Sequence, residues 1–218
     1  MIELQNINKS FKNKTIFKDL NLNVNKNEMI AIMGDSGSGK STLLNMVGLI
    51  EKPDSGTVIL NNKTFSKIND KQTMLAHRNL IGYIFQNFAL IDNKTVSENI
   101  DVALIYSGYS RKEKQNKKIE ILRFLGLDDK INSKIYELSG GEQQRIALAR
   151  VMLKRCEIIL ADEPTGSLDQ TTANDILNIL IKLNKENNKT VMIVTHDINI
   201  AKQCDKIYRI KNYNLINL

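Results

Sequence analysis

A chain of 218 residues, 42% hydrophobic and 25% charged, has room for one large domain with its own core, and no stretch approaches the roughly 18 continuous apolar residues that cross a bilayer. No basic segment followed by an apolar one opens it, and two cysteines, Cys156 and Cys204, are too few for a disulfide framework and lack metal-ligand spacing, so reduced thiols and the cytosol are expected. The net charge of +7 does not mark a nucleic-acid partner, because the lysines are spread along the chain and the densest basic run, residues 111–118, reads as a solvated helix face, with Glu113 and Lys117 at i,i+4 and Ile119, Leu122 and Leu125 as the apolar stripe beyond.

The first elements are strands. Ile2 and Leu4 open one, and Leu20, Leu22 and Val24 alternate with polar residues in another. Met29-Ile30-Ala31-Ile32-Met33 is continuously apolar, as a strand covered on both faces requires. It runs directly into Gly34-Asp35-Ser36-Gly37-Ser38-Gly39-Lys40-Ser41-Thr42, which fits G-x-x-x-x-G-K-[ST], and then into a helix carrying Leu43, Leu44, Met46 and Val47. Glycines there allow backbone angles that turn successive N–H groups toward a polyphosphate, and the helix N-terminus adds unsatisfied donors. Lys40 is placed to reach the β- and γ-phosphates of ATP or GTP, and the Ser41 hydroxyl to take one position on Mg²⁺.

Residues 57–60 and Thr64-Phe65 read as a hairpin about Asn61-Asn62-Lys63, and Ile81-Gly82-Tyr83-Ile84-Phe85 as a strand ending at Gln86. From residue 97 to 125 the pattern is helical, broken at Gly108-Tyr109-Ser110, with Ser110 an N-cap. Another helix opens at Leu138-Ser139-Gly140-Gly141-Glu142 and continues through Ile146, Ala147, Leu148 and Leu153. Ser139 is its expected N-cap, and paired glycines bare the backbone to an anion. Ile158-Ile159-Leu160-Ala161 then carries Asp162 and Glu163 at its carboxyl end, the edge of an open α/β sheet that faces a ligand crevice. Asp162 suits Mg²⁺ opposite Ser41, and Glu163 suits orienting or deprotonating a water that attacks the γ-phosphate. Ile176, Leu177, Leu180 and Leu183 recur at helical spacing, and residues 191–194 form a last buried strand. That strand places His196 at the same ligand edge, as a γ-phosphate contact, whereas His77 has no such context. The expected fold is α/β: a mainly parallel core with an antiparallel start and a helical insert.

Five segments in this order resemble the ABC-transporter ATPase subunits, over nearly the whole chain. They are the phosphate loop, Gln86, the signature-like Leu138-Ser139-Gly140-Gly141-Glu142-Gln143-Gln144-Arg145, the acidic strand end and D-loop Asp162-Glu163-Pro164-Thr165-Gly166-Ser167-Leu168-Asp169, and Thr195-His196-Asp197. The resemblance implies an ATP hydrolase with a P-loop NTPase fold. It implies one ABC ATPase domain over residues 1–218, in which a helical subdomain of about residues 90–155 is inserted into a RecA-like core and an antiparallel β subdomain opens the chain. It makes Glu163, His196, Gln86 and Lys40 the catalytic group, and Ser41, Gln86 and Asp162 the metal group. Phe11, expected in a loop, would stack on adenine beside the loop residues 34–42. Ser139, Gly140, Gly141, Glu142 and Asp169 would meet the ATP held by a second, identical subunit, so that two ATP molecules are sandwiched between two heads.

The family also implies an integral membrane permease, whose coupling helix is received near Asn87-Phe88-Ala89-Leu90-Ile91, and hence a peripheral place on the inner face of the cell membrane. Within it, residues 164–169 resemble the branch of lipoprotein-release, macrolide and peptide exporters, bacteriocin exporters and cell-division ATPases. Residues 81–91 resemble the bacteriocin and antimicrobial-peptide exporters. Asp92-Asn93-Lys94-Thr95 and Ile135-Tyr136-Glu137 depart from the family in lacking a proline common at each place. An ATPase of this family acting on DNA or ribosomes is the alternative. Against it stand the single copy of each motif and the absence of sustained heptads between the phosphate loop and the signature.

Overall fold

Two sheets divide the strands by the way each is covered. The computed structural model describes residues 1–12, 14–166 and 168–218, so Asn13, and Ser167 of the D-loop segment, lie outside the described residues. In chain order the elements are β1 (Ile2–Phe11), β2 (Lys14–Val24), β3 (Met29–Met33), α1 (Lys40–Val47), β4 (Ser55–Leu60), β5 (Lys63–Phe65), α2 (Lys71–Asn79), β6 (Ile81–Ile84), α3 (Val96–Leu104), α4 (Arg111–Phe124), α5 (Gly140–Leu153), β7 (Ile158–Asp162), α6 (Gln170–Lys185), β8 (Thr190–Val194), α7 (Ile198–Ala201), β9 (Lys206–Lys211) and β10 (Asn214–Asn217). The first sheet is antiparallel, in the order β2-β1-β4-β5. The second runs β10-β9-β3-β8-β7-β6, with every neighbouring pair parallel except β9 with the edge strand β10.

Continuous apolar runs become the central strands of the second sheet because they are buried on both faces. Alternate residues go to opposite cores. Ile30, Ile32, Leu160, Met192 and Val194 pack with Leu43, Leu44, Met46 and Val47 of α1 and with the first sheet. Met29, Ile159, Ala161, Val191 and Ile193 pack with Leu148 of α5 and with Ile176, Leu180 and Leu183 of α6. Both layers therefore rest on one strand periodicity of two.

Between β6 and β7, helices α3, α4 and α5 build a third core from Val96, Ile100, Leu104, Leu122, Ile146 and Ala149. Each opens with a reciprocal capping box, Thr95 with Glu98, Ser110 with Glu113 and Ser139 with Glu142, so the expected caps Ser110 and Ser139 are in place.

The structure changes several local readings. Phe85 lies beyond β6, and Phe11 is the last residue of β1 rather than a loop residue. On α4, Ile119 is exposed and Ile121, two positions on, is buried in its place beside Leu122 and Leu125. The basic run also is not wholly solvated: Lys118 is buried, bonding to Ser97 at 2.8 Å and Asp101 at 3.1 Å. A buried ammonium needs such partners, since its desolvation is otherwise uncompensated.

Candidate functional site

The carboxyl ends of β3, β6, β7 and β8 converge on one cleft of about 490 Å³. Its floor is the phosphate loop. Gly37 (φ 73°) and Gly39 (φ 104°) hold left-handed backbone conformations, and a Cβ at Gly39 would lie 2.4 Å from Ile16 Cγ2, so glycine is required there twice over. The turn closes as Ser38 N–H donates to Asp35 O at 3.1 Å, and Leu43 N–H donates to Gly39 O at 2.8 Å to start α1. With no side-chain cap and no acid in its first turn, α1 presents its N-terminal donors to the loop's concave side. The Ser38 hydroxyl is buried behind the loop without a hydrogen-bond partner among the described residues.

Lys40 Nζ donates to the carbonyls of Gly34 at 2.8 Å and Asp35 at 3.1 Å, which folds the ammonium over the loop. The Ser41 hydroxyl donates to Asp162 Oδ1 at 3.1 Å. Burial raises the Asp162 carboxyl above its ordinary value, the Ser41 bond opposes that, and the neighbouring Glu163 charge adds to it. Two oxygen donors side by side suit a hard divalent cation, whose charge would offset that burial. Glu163 follows at the end of β7 with φ 45°, and its Oε2 meets His196 Nδ1 at 2.8 Å. Gln86 lines the same cleft from the end of β6.

The cleft thus brings together Lys40, Ser41, Gln86, Glu163 and His196 with the loop glycines. Phe11 does not line it; its exposed ring has Lys9 Nζ 4.8 Å from its centroid. The Ser139, Gly140, Gly141, Glu142 and Asp169 group is also outside it. Glu142 accepts from Ser139 N–H at 2.8 Å, and that backbone bond holds its carboxyl below the ordinary value. Asp169 caps α6, accepting from Thr171 and Thr172 N–H at 3.1 and 3.0 Å, with the Thr172 backbone bond the main cause of its lowered value. Gly140 has open space where a Cβ would stand, so this helix start offers backbone to an approaching surface. His77 is satisfied by the Gly48 carbonyl at 2.8 Å.

One lining residue was not anticipated. Arg209 reaches the cleft from β9, where it pairs with Met33, the residue before the loop. Nothing in a half-buried strand beside the sheet edge separates it, in sequence, from the surrounding basic residues. A larger cavity, about 910 Å³, lies elsewhere, between the nucleotide-side core and the helical insert. Met74, Val102, Tyr106 and Phe85 line it beside Arg150 and Lys154, and burial lowers both of those cations from their ordinary values. Segment 87–91 is tied to its lining through Arg150, which donates to the Ala89 carbonyl at 2.6 Å.

Comparison with known proteins agrees with this geometry. A family model described as ABC transporter matches residues 17–166. The chain is 43% identical to the lipoprotein-releasing system ATP-binding protein LolD of Rickettsia felis, over 99% of this chain and 96% of that protein. It is 38% identical to the macrolide export ATP-binding/permease protein MacB of Pectobacterium atrosepticum, over 99% of this chain but only 34% of that longer protein. A dimeric ATP-binding cassette solved in a post-hydrolysis state with ADP and Pi superposes with a TM-score of 0.91 at 39% identity, covering 99% and 96% of the two chains.

Proposed function

The chain belongs to the ABC transporter ATP-binding family and is an ATPase, and from that premise we propose that it powers a membrane permease through a pair of identical subunits that close on two ATP molecules. One observation carries the reading: at one edge of a parallel sheet, Lys40, the Ser41–Asp162 pair and the Glu163–His196 pair face one cleft. Lys40 exchanges the carbonyls of Gly34 and Asp35 for phosphate oxygens, so its charge moves onto the nucleotide. Ser41, Asp162 and Gln86 would hold Mg²⁺, which would supply positive charge to neutralise the phosphates.

Glu163 aligns and deprotonates the attacking water. His196 meets the carboxylate through Nδ1; to contact a phosphate oxygen through Nε2 at the same time, both nitrogens must carry protons. Ser139, Gly140 and Gly141 complete the coordination of the partner's ATP, so nucleotide favours the closed pair and hydrolysis removes that preference. Phe11 stacks on the base outside the phosphate cleft. The whole chain acts as one ABC ATPase domain, with the insert of about residues 90–155 as its arm. A segment of the permease docks in the groove beside 87–91, which holds the ATPase at the membrane's inner face. Among the described residues no helix is long and apolar enough to cross a membrane, so that hold comes from the partner.

Likeness to LolD, named for lipoprotein release, and MacB, named for macrolide export, supports an exporter or extractor of lipophilic cargo, and the resemblance of residues 81–91 puts peptides and bacteriocins within that class. Glu163→Gln tests the core of this reading. It should keep ATP binding while turnover falls at least ~100-fold, the lower range for a lost general base, and should capture a multi-span membrane protein from solubilised source membranes in ATP and Mg²⁺. Unchanged turnover would refute the role of Glu163. Capture of ribosomes or DNA instead would refute the transport role.

A further inference from the structure

Gln144 stands one turn inside α5, where a glutamine ordinarily faces solvent. Here its side chain is 1% exposed, and its amide donates to the carbonyl of Pro164 at 2.6 Å, 20 positions along the chain. An amide removed from water into this layer of Leu148 and Ala147 costs free energy unless it is bonded. The amide's Oε1 stays buried with no hydrogen-bond partner among the described residues, and its donor half is satisfied by this bond.

Its acceptor matters more. Pro164 follows Glu163, whose φ of 45° lies in the left-handed region, where a residue with a Cβ is strained. Such a residue keeps its place only when its surroundings fix it. Glu163 N–H donates to Val194 O at 3.0 Å, a contact with the sheet, and Glu163 O accepts from Gly166 N–H at 3.1 Å, a contact within the turn. Proline has no N–H to offer, so its carbonyl is the backbone group by which this residue can be held. Gln144 holds it, and Gln144 alone of these contacts comes from α5.

The same helix begins at Ser139-Gly140-Gly141, the segment assigned above to the partner's ATP. We infer that Gln144 is a positioning residue: through the Pro164 carbonyl it transmits the seat of α5 to Glu163. The carboxylate that aligns water on one ATP is then held by the helix that grips the other. The inference rests on the roles given above to Glu163 and to the start of α5. Gln144 touches neither nucleotide nor water and acts through Pro164.

Gln144→Met keeps the length and apolar fit and removes the donor. Because a displacement of about 1 Å can cost ~100-fold in rate, kcat should fall about 10- to 100-fold while KM for ATP stays within about twofold. Added to Glu163→Gln, the same change should leave ATP-driven dimer formation, read by light scattering, within about twofold of Glu163→Gln alone. A lowered melting temperature with unchanged kcat would make Gln144 a packing residue and overturn the inference. Loss of dimer formation in the double variant would also overturn it, because the damage would then lie in α5's grip. Should Gln144→Met not fold, Gln144→Leu, which also lacks the donor and stays apolar, carries the same expectations. If Glu163→Gln on its own retained turnover, the reading of Glu163 would fail independently of any change at 144, and this inference with it.

Discussion

Gly141 sets the spacing between the start of α5 and the start of α6, and replacing it with alanine tests that spacing directly. An alanine Cβ would sit 2.8 Å from Thr172 Cγ2, against an optimal carbon–carbon separation of about 3.5–4.0 Å. Thr172 has little freedom to turn away, since its hydroxyl donates to Asp169 Oδ2 at 2.7 Å. Rotating it breaks that bond to a charged group. Opening the helix contact instead is overpacking, at about 1–3 kcal/mol. Against either route stands a helix-propensity gain of up to ~1 kcal/mol for Gly→Ala. Gly141→Ala should therefore destabilise by about 1–2 kcal/mol in urea unfolding. Thr172→Ser removes the offending methyl and keeps the bond to Asp169; its hydroxyl oxygen, 3.5 Å from the added Cβ, is in ordinary contact. In that background Gly141→Ala should be neutral or stabilising by up to ~1 kcal/mol, a coupling of about 1–3 kcal/mol. Equal costs in the two backgrounds, to within ~0.5 kcal/mol, would refute the claim that Thr172 is what the glycine avoids.

Lys40→Met removes the ammonium that the loop carbonyls hold, so ATP affinity by calorimetry should fall at least ~100-fold, with a folded-state melting curve close to the parent's. Phe11→Ala should weaken ATP about 10-fold, since stacking on a base is worth about 1–3 kcal/mol, yet leave inorganic tripolyphosphate binding unchanged. A drop in stability without that split would make Phe11 a strand anchor. The Thr95 backbone N–H, then the Lys94 ammonium, hold the Glu98 carboxyl at about 2, below its ordinary value of 4.5. Because the folded value is the lower one, the stabilisation is complete above pH 4.5 and is lost as pH falls toward 2. The melting-temperature gap between the parent and Glu98→Gln should therefore close over that interval, and a gap independent of pH would show that the ionised carboxylate contributes nothing.

What could be read from sequence follows from how local each signal is. β3, β7 and β8 were legible because burial on both faces demands uninterrupted apolar runs, and the phosphate loop because its backbone angles demand glycine at set positions. The helical insert is legible through the caps Ser110 and Ser139, each paired with a residue three positions on, whereas Thr95, which caps α3, reads from sequence only as part of a loop. By contrast α2 buries only Thr73 and Ala76, so it has no apolar stripe to find, and β9 is a half-buried strand beside an edge, where alternation is weak. Lys118, Gln144 and Arg209 were missed for a related reason. Each acquires its role from a partner distant in the chain: Asp101 on another helix, the Pro164 carbonyl, and the loop beyond Met33. Even Phe11, whose place in the motif order was plain, was put in a loop because the hydrogen bonds that extend β1 come from β2 and cannot be seen in β1 itself.

The division between legible and hidden residues also separates chemistry from partner. Everything assigned to the nucleotide sits at strand ends or helix starts, positions where backbone geometry leaves few substitutions open. The large groove is built differently. Arg78 on α2 lies 3.9 Å from the Tyr106 ring centroid and donates to its hydroxyl at 3.1 Å, so two elements joined only by side chains form one wall. Met74, Val102 and Lys154 complete it, and none of these belongs to a motif shared by the segments that carry the resemblance. Side chains on helix surfaces can change size and charge without disturbing the sheet, so the groove is free to diverge while the cleft is not. Proteins named for lipoprotein release and for macrolide export match this chain at 43% and 38% identity. On the proposed docking, the permease is chosen by the wall built by Arg78 and Tyr106, and the reaction by the strand ends and helix starts.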